Sequence, residues 1–146
     1  MGGFGAMRNG LKYHDTFGAI LSFSGVFEIL NPDAKNPQRM NTAFEEGLFG
    51  NLNQALVSDK NPIWLARELA GKENLPAIYM ACGVDDYLLP HSRNFHKLLL
   101  ENGYDVTYEE GPGAHEWDFW DTYIKKALDW LPLDGQSEGI HSGNVN

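Results

Sequence analysis

Two short, mostly apolar runs that each close on a glycine constrain the fold more than any other feature of the sequence. They cover residues 17–25 and 75–83, and such continuous apolar character is typical of strands buried on both faces of a parallel sheet. A more alternating stretch at residues 104–110 predicts a third strand. Helical patterns lie around these strands at residues 2–12, 90–101 and 116–131. The alternation predicts an α/β fold, a three-layer sandwich in which helices flank a parallel sheet of about three strands.

The last predicted helix is rich in aromatic residues. Its apolar side is expected to consist of Trp117, Trp120, Ile124, Leu128 and Leu131. We expect Trp117, Phe119 and Trp120 to belong to the core face of this helix rather than to a platform for a substrate. Trp117 follows closely after His115 in the sequence, however, and is therefore also a candidate for the lining of a pocket.

The length of 146 residues is that of one domain. We assign residues 1–134 to a single partial domain and residues 135–146, which are polar and contain Gly and Ser, to a tail. Between residues 26 and 72 the periodicity is lost and Asn-Pro pairs recur, with a short helix predicted at residues 62–69. Since connections longer than ~12–15 residues are usually functional, we interpret residues 26–72 as a lid-like excursion over a site. A plain crossover between strands fits the same pattern equally well.

Charge and composition limit the partners of the chain. Twenty acidic and eleven basic residues give a formal charge of −9, which disfavours nucleic acids and anionic membranes as partners. No apolar run approaches the ~20 residues that a membrane span requires. The single cysteine, Cys82, excludes an internal disulfide and favours a cytoplasmic location. Secretion stays open, because a signal sequence could lie upstream of a partial domain.

Two residues with acid and base chemistry follow the second and third predicted strands. Asp86 lies three residues after Gly83, and His115 lies in the glycine-rich loop that begins at residue 111. The carboxyl ends of parallel strands share one rim of a sheet, and adjacent strands are ~4.8 Å apart. We therefore expect Asp86 to orient His115 as a general base. Asp85 competes for this role, since either aspartate could instead cap the following helix, but the spacing from the glycine favours Asp86.

Other reactive side chains have simpler interpretations. Cys82 is expected to be a buried structural thiol, because it lies inside a strand end rather than on a strained turn. Ser22 and Ser24 lack the helix that should follow a nucleophile, so packing and hydrogen bonding explain them better. His91 and His96 fall on different faces of a helix, so they do not form a metal site with the two aspartates. Neither a metal nor another cofactor is expected.

Three motifs, taken together and in order, resemble the serine esterases of the α/β-hydrolase fold. Residues 1–6 resemble the stretch after the serine of the G-x-S-x-G nucleophile elbow, residues 83–86 the acid loop, and residues 113–117 the histidine loop. Further short matches are Ser24-Gly25, Trp64-Leu65-Ala66 and Cys82-Gly83. Over residues 1–131 the chain is most similar to the esterase D and S-formylglutathione hydrolase group, which includes tributyrin, acetyl-xylan and feruloyl esterases.

This resemblance implies the carboxyl-terminal portion of an α/β-hydrolase. Asp86 and His115 would serve a serine that is expected just before Met1, the backbone of Met1 would form half of the oxyanion hole, and Trp117 would contact the substrate. The implied substrate is a small ester or an acylated carbohydrate. Without the serine, little turnover is expected from this chain alone.

The resemblance also implies that the first strand lacks a neighbour, which leaves an open sheet edge. Such an edge predicts self-association or pairing with a missing amino-terminal segment. A non-catalytic α/β module that associates through this edge is therefore the alternative to an esterase.

Overall fold

The computed structural model describes residues 1–30 and 42–132. Its elements in chain order are α1 Gly2–Lys12, β1 Ala19–Phe23, a 3-10 helix Phe27–Leu30, α2 Thr42–Phe49, α3 Leu52–Leu56, α4 Pro62–Glu68, β2 Ala77–Gly83, α5 Leu89–Glu101, β3 Val106–Gly111 and α6 Trp117–Trp130. The three strands are parallel and lie in the order β1-β2-β3. The predicted α/β fold with three parallel strands and flanking helices is confirmed.

One face of the sheet, which we call the covered face, carries the larger core. Ile20 pairs with Ile78, and Ile78 pairs in turn with Val106, so side chains of this register point to the same side. Helices α1, α4 and α5 all pack on this side. The buried residues of this core are Met7, Leu11, Ile20, Phe27, Leu65, Ala66, Leu69, Ile78, Met80, Phe95, Leu99 and Tyr104.

The other face, which we call the open face, is covered by α6 where it lies over β2 and β3. Its buried residues are Tyr79, Ala81, Phe119, Tyr123 and Ala127. Leu21 and Phe23 of β1 point to the same side but stay half-buried. Of the described helices only α6 contributes to this core, so the part of the face that lies over β1 is left partly exposed.

The prediction of which side of the last helix faces the core is wrong. Trp117 is 80% exposed and Leu128 is 50% exposed, whereas Phe119, Tyr123 and Ala127 are buried. Ile124 is exposed as well, Leu131 is half-buried, and Trp120 packs against the buried stripe. Two glycines explain the phase of the helix, one at the end of β3 and one just after it. A Cβ on Gly111 would overlap the Tyr123 hydroxyl, and one on Gly113 would press on the Phe119 side chain. The helix therefore turns these two aromatic residues, rather than Trp117, toward the sheet.

Residues 26–72 contain more regular structure than their sequence pattern predicts. The predicted short helix is observed as α4, with Pro62 at its start and Asn61 accepting a hydrogen bond from the Ile63 N–H at 3.0 Å. Leu65 and Ala66 of this helix are part of the covered-face core. The central part of the predicted excursion, residues 31–41, lies outside the described residues, as does the predicted tail at residues 135–146.

The three longest helices are α1, α5 and α6, with 11, 13 and 14 residues. None of the helices in residues 1–30 and 42–132 combines the length and the hydropathy needed to cross a membrane.

Candidate active site

The loops that follow β2 and β3 are held together by backbone hydrogen bonds. The Val84 N–H donates to the Gly111 carbonyl at 2.9 Å, and the Asp85 N–H donates to the Gly113 carbonyl at 3.0 Å. A Cβ on Gly83 would overlap the Gly113 carbonyl oxygen, so this approach requires a glycine at position 83. The two loops consequently present Asp86 and His115 at one rim of the sheet.

The structure brings Asp86 and His115 into direct contact. His115 Nδ1 lies 3.0 Å from Asp86 Oδ2 and 3.3 Å from Oδ1. The Asp86 side chain is 0% exposed, and its Oδ1 also accepts the Leu88 N–H at 2.8 Å. An ionised carboxylate only accepts hydrogen bonds, so Nδ1 carries the proton and Nε2 is left to accept one. This arrangement suits an imidazole that takes a proton from another group.

Asp85, the alternative acid, is exposed and its carboxylate makes no contact with His115 among the described residues. The Asp86 carboxylate also accepts a hydrogen bond from the N–H of Leu88, the residue directly before α5. The Asp86 carboxylate therefore orients the histidine and also stabilises the turn before α5, although no side chain of the described residues caps α5 itself.

Aromatic side chains surround the His115 ring. The centroid of Tyr87 lies 5.0 Å from that of His115, and the centroid of Trp120 lies 4.9 Å from it with an interplanar angle of 89°. Trp117 packs edge to face on Trp120 at 5.3 Å. The contacts of Tyr87 and Trp120 with His115 were missed in the sequence, although the position of Tyr87 directly after the acid was a usable signal.

A cavity of about 330 Å³ opens beside His115. Its lining residues are Met1, Gly2, Gly3, Leu21, Phe23, Ser24, His115, Trp117 and Trp120. Met1 and Trp117, both predicted to belong to the site, therefore share this cavity with His115, while Asp86 lies behind the histidine. Ser24 and His115 provide the polar side chains of the described lining, and the remainder is apolar or backbone.

Comparison with known proteins indicates the family of the chain. The chain is 41% identical over 137 residues to an acetyl esterase of Caldicellulosiruptor saccharolyticus, a match that covers 90% of this chain and 51% of that protein. The crystal structure of S-formylglutathione hydrolase (FrmB) from Staphylococcus aureus superposes with a TM-score of 0.71 at 28% identity, covering 88% of this chain and 50% of that one. The chain belongs to the esterase and S-formylglutathione hydrolase-like α/β-hydrolases.

A second structure supports the same family. FphF, a fluorophosphonate-binding serine hydrolase of Staphylococcus aureus, superposes with a TM-score of 0.70 at 25% identity and covers 88% of this chain and 49% of that chain. No protein-family model matches the sequence. The chain thus spans about half the length of the esterase relatives that it matches.

The amino terminus of α1 faces the cavity of this esterase-family chain. The N–H groups of the first helical turn have no partner within a helix and carry partial positive charge. Within the described residues, α1 has no side-chain cap at Met1 and no acidic residue in its first turn. Gly2 and Gly3 line the cavity, so the site combines an imidazole with backbone donors.

The remaining reactive residues near the site have structural partners. Ser22 Oγ donates to the Gly3 carbonyl at 2.8 Å, and Ser24 Oγ accepts the Trp120 Nε1–H at 3.2 Å. Burial raises the pKa of the Cys82 thiol to about 11, which keeps it protonated near neutral pH. These contacts agree with the expected structural role of each side chain.

The two histidines of α5 lie apart. His91 Nδ1 is 3.3 Å from Glu28 Oε2, and burial lowers the pKa of His91 below its ordinary value. His96 packs on Tyr108 with ring centroids 4.5 Å apart. Within residues 1–30 and 42–132, no three His, Cys, Asp or Glu side chains are grouped as they would be around a metal ion.

Proposed function

We propose that this chain carries the acid and the base of a serine carboxylic-ester hydrolase that works through an acyl-enzyme. The observation that supports the proposal best is the 3.0 Å contact between His115 Nδ1 and the buried Asp86 carboxylate, at the mouth of a cavity in an esterase-family fold. In this role Asp86 fixes the imidazole tautomer and His115 acts as the general base. The nucleophilic serine belongs to the part of the esterase fold that this chain does not span.

The proposed reaction has two steps, acylation of the serine and hydrolysis of the acyl-serine. The serine oxygen bonds to the ester carbonyl carbon while its proton moves to His115 Nε2, and Asp86 stabilises the resulting imidazolium. The tetrahedral intermediate expels the alcohol, which takes the proton back from His115, and an acyl-serine remains. Water then attacks the acyl group with His115 again as the base, so that the acid leaves and the serine is restored.

Backbone and aromatic groups around the cavity complete the proposed site. The N–H of Met1, at the start of α1, serves as one donor of the oxyanion hole when it is part of a peptide bond. As a chain terminus it becomes a charged and mobile amino group, which is a poorer donor for this purpose. Trp117, 80% exposed on the cavity wall, contacts the bound ester. The substrate is a small ester or an acylated carbohydrate.

Hydrolysis of p-nitrophenyl acetate tests this proposal in two forms of the protein. The 146-residue chain alone is expected to hydrolyse the ester at a rate close to that of the uncatalysed reaction, and a fluorophosphonate probe is expected not to label it. Robust hydrolysis that His115→Ala abolishes, or covalent labelling of Ser22 or Ser24 detected by mass spectrometry, would contradict the assignment of the nucleophile.

The second form is the chain extended by any in-frame coding sequence that precedes the Met1 codon in its gene, where a Gly-x-Ser is expected. In that protein, Asp86→Asn should lower kcat by about 10³–10⁴-fold because the imidazole loses its tautomer control. Asp85→Asn, at the exposed neighbour, is the matched control and should leave kcat within about threefold. Equal effects of the two substitutions would overturn the role of Asp86.

A second candidate function rests on the free edge of β1. In the described residues β1 pairs with β2 alone, and its Leu21 and Phe23 side chains lie half-exposed on the open face. Such an edge favours a non-catalytic module that pairs with another chain or with a second copy. Light scattering after size-exclusion chromatography tests this: concentration-dependent dimers that Leu21→Lys abolishes, and that Leu128→Lys on exposed α6 does not, would favour the module.

A further inference from the structure

Trp120 connects His115 to the buried hydroxyl of Ser24, which directly follows β1. Its ring packs on the His115 imidazole, with centroids 4.9 Å apart and planes at 89°. On its other side the indole N–H donates to Ser24 Oγ at 3.2 Å, across 96 residues of sequence. The histidine is thus held by Asp86 through a hydrogen bond and by Trp120 and Tyr87 through ring packing.

The backbone of Ser24 is in a conformation that serines rarely adopt. Its φ is +49°, in the left-handed region that costs a non-glycine residue about 1 kcal/mol or more. Ser24 directly follows β1, where its N–H donates to the Ala81 carbonyl at 3.0 Å, and it is 3% exposed. Glycine would occupy this φ without strain, so the conformation alone does not explain a serine here. What glycine lacks is the hydroxyl that accepts the Trp120 N–H.

We propose that Ser24 is a positioning residue that, through Trp120, holds the His115 imidazole against Asp86. The catalytic consequence rests on the proposed function, whereas the contact itself can be tested without any turnover. The bond to Ser24 is the hydrogen bond that the Trp120 indole N–H makes, and ring packing supplies its other contacts. Loss of the hydroxyl therefore loosens the indole and weakens its packing on His115. His115 then spends more time turned away from Asp86.

The test uses nuclear magnetic resonance of the 146-residue chain, with the imidazole signals of His115 as the readout. In Ser24→Ala, exchange of the His115 Nδ1 proton with water is expected to rise by about two- to tenfold, as for loss of one hydrogen bond. The nuclear Overhauser contact between the Trp120 and His115 rings is expected to weaken. Ser22→Ala is the matched control, because it removes a buried hydroxyl within β1 that donates to the Gly3 carbonyl instead.

Ser24→Gly separates positioning from a general effect on folding. Glycine relieves the strain at positive φ and so keeps or raises the melting temperature, yet it also lacks the hydroxyl. The proposal predicts that the His115 Nδ1 proton exchanges with water as fast in Ser24→Gly as in Ser24→Ala, and faster than in the unsubstituted chain. If Ser24→Gly instead behaves like the unsubstituted chain, the role of Ser24 is to shape the backbone and the proposal is overturned.

A double-mutant cycle with Trp120→Phe decides whether Ser24 acts through Trp120. The proposal predicts that adding Ser24→Ala to Trp120→Phe does not change the exchange rate of the His115 Nδ1 proton further. The reason is that phenylalanine has no N–H to donate to Ser24, so the connection is already lost. Additive effects would overturn the proposal. If the unsubstituted chain shows no Nδ1–H bonded to Asp86, the proposed function fails, while the ring contact between Trp120 and His115 still tests the role of Ser24.

Discussion

The two faces of the sheet differ in how completely they are packed. On the covered face, three helices bury Leu99 and Ile78 at 0% exposure. On the open face, α6 buries Tyr79 and Ala81, but Leu21 stays half-exposed. A strand in the interior of a parallel sheet is normally covered on both sides, whereas in the described residues the open face over β1 is only partly covered. The cavity beside His115 lies at this incompletely covered corner.

The two faces contribute differently to the stability of the fold and to the candidate site. The covered face supplies most of the buried apolar area, and hence most of the hydrophobic free energy of folding. The open face supplies the aromatic residues around His115. Substitutions on the two faces should therefore have different kinds of effect.

Identical leucine truncations on the two faces give the largest contrast in stability. Leu99→Ala on the covered face should lower the free energy of unfolding by about 2–5 kcal/mol, because it leaves a cavity in a closed core. Leu21→Ala on the open face should cost less than about 1.5 kcal/mol, since part of that side chain is already hydrated. Urea denaturation measures both. Equal losses would mean that the open face is packed as tightly as the covered one.

Asp86→Asn probes the rim between the two faces. It should cost about 1–3 kcal/mol of stability, because a charge-assisted hydrogen bond to His115 is replaced by a weaker one. The downfield Nδ1–H resonance of His115 should disappear at the same time. Asp85→Asn should change neither the resonance nor the melting temperature. A resonance that survives in Asp86→Asn would show that another group holds the imidazole.

A buried histidine of α5, His91, is expected to make the fold sensitive to acid. Burial lowers the pKa of His91 below its usual 6.5, and the nearby Glu28 opposes this shift. As the pH falls through 6.5, the unfolded chain binds a proton that the folded chain does not, so stability decreases between 6.5 and the lower folded pKa. His91→Gln should flatten the dependence of the melting temperature on pH between 7 and 5. An unchanged slope would assign the acid sensitivity to other groups.

Trp117→Ala should have the smallest effect on stability. The side chain is 80% exposed, so the free energy of unfolding should change by less than about 0.5 kcal/mol. In the protein extended upstream of Met1, KM for an ester should nevertheless rise if Trp117 contacts the substrate. Phe119→Ala, in the buried stripe of the same helix, is the matched comparison and should cost about 3 kcal/mol or more.

The sequence was sufficient to place the three strands and to predict that Asp86 and His115 lie at one rim of the sheet. Apolar runs closing on Gly25 and Gly83 marked where strands end, and parallel strands must bring those ends together, which placed Asp86 beside His115. These inferences depend on local patterns and on one rule of sheet geometry.

The side of α6 that packs on the sheet could not be read in the same way. The apolar residues of α6 allow more than one stripe, and its phase is selected by the space above Gly111 and Gly113, which the periodicity of the helix does not record. The Ser24–Trp120 bond likewise joins residues 96 positions apart. Interactions that depend on how separate elements pack leave no periodic signal in a single sequence.

Gly83 carries no reactive group, yet it acts as the spacer of the acid–base pair. The loop bearing Asp86 can approach the loop bearing His115 only as closely as position 83 allows the Gly113 carbonyl to come. A methyl group there would push the two loops apart, although it would remove none of the reactive side chains. Hydrogen bonds weaken steeply with distance and misalignment, so the strength of the contact between Asp86 and His115 is set by a residue whose contribution is the absence of a side chain.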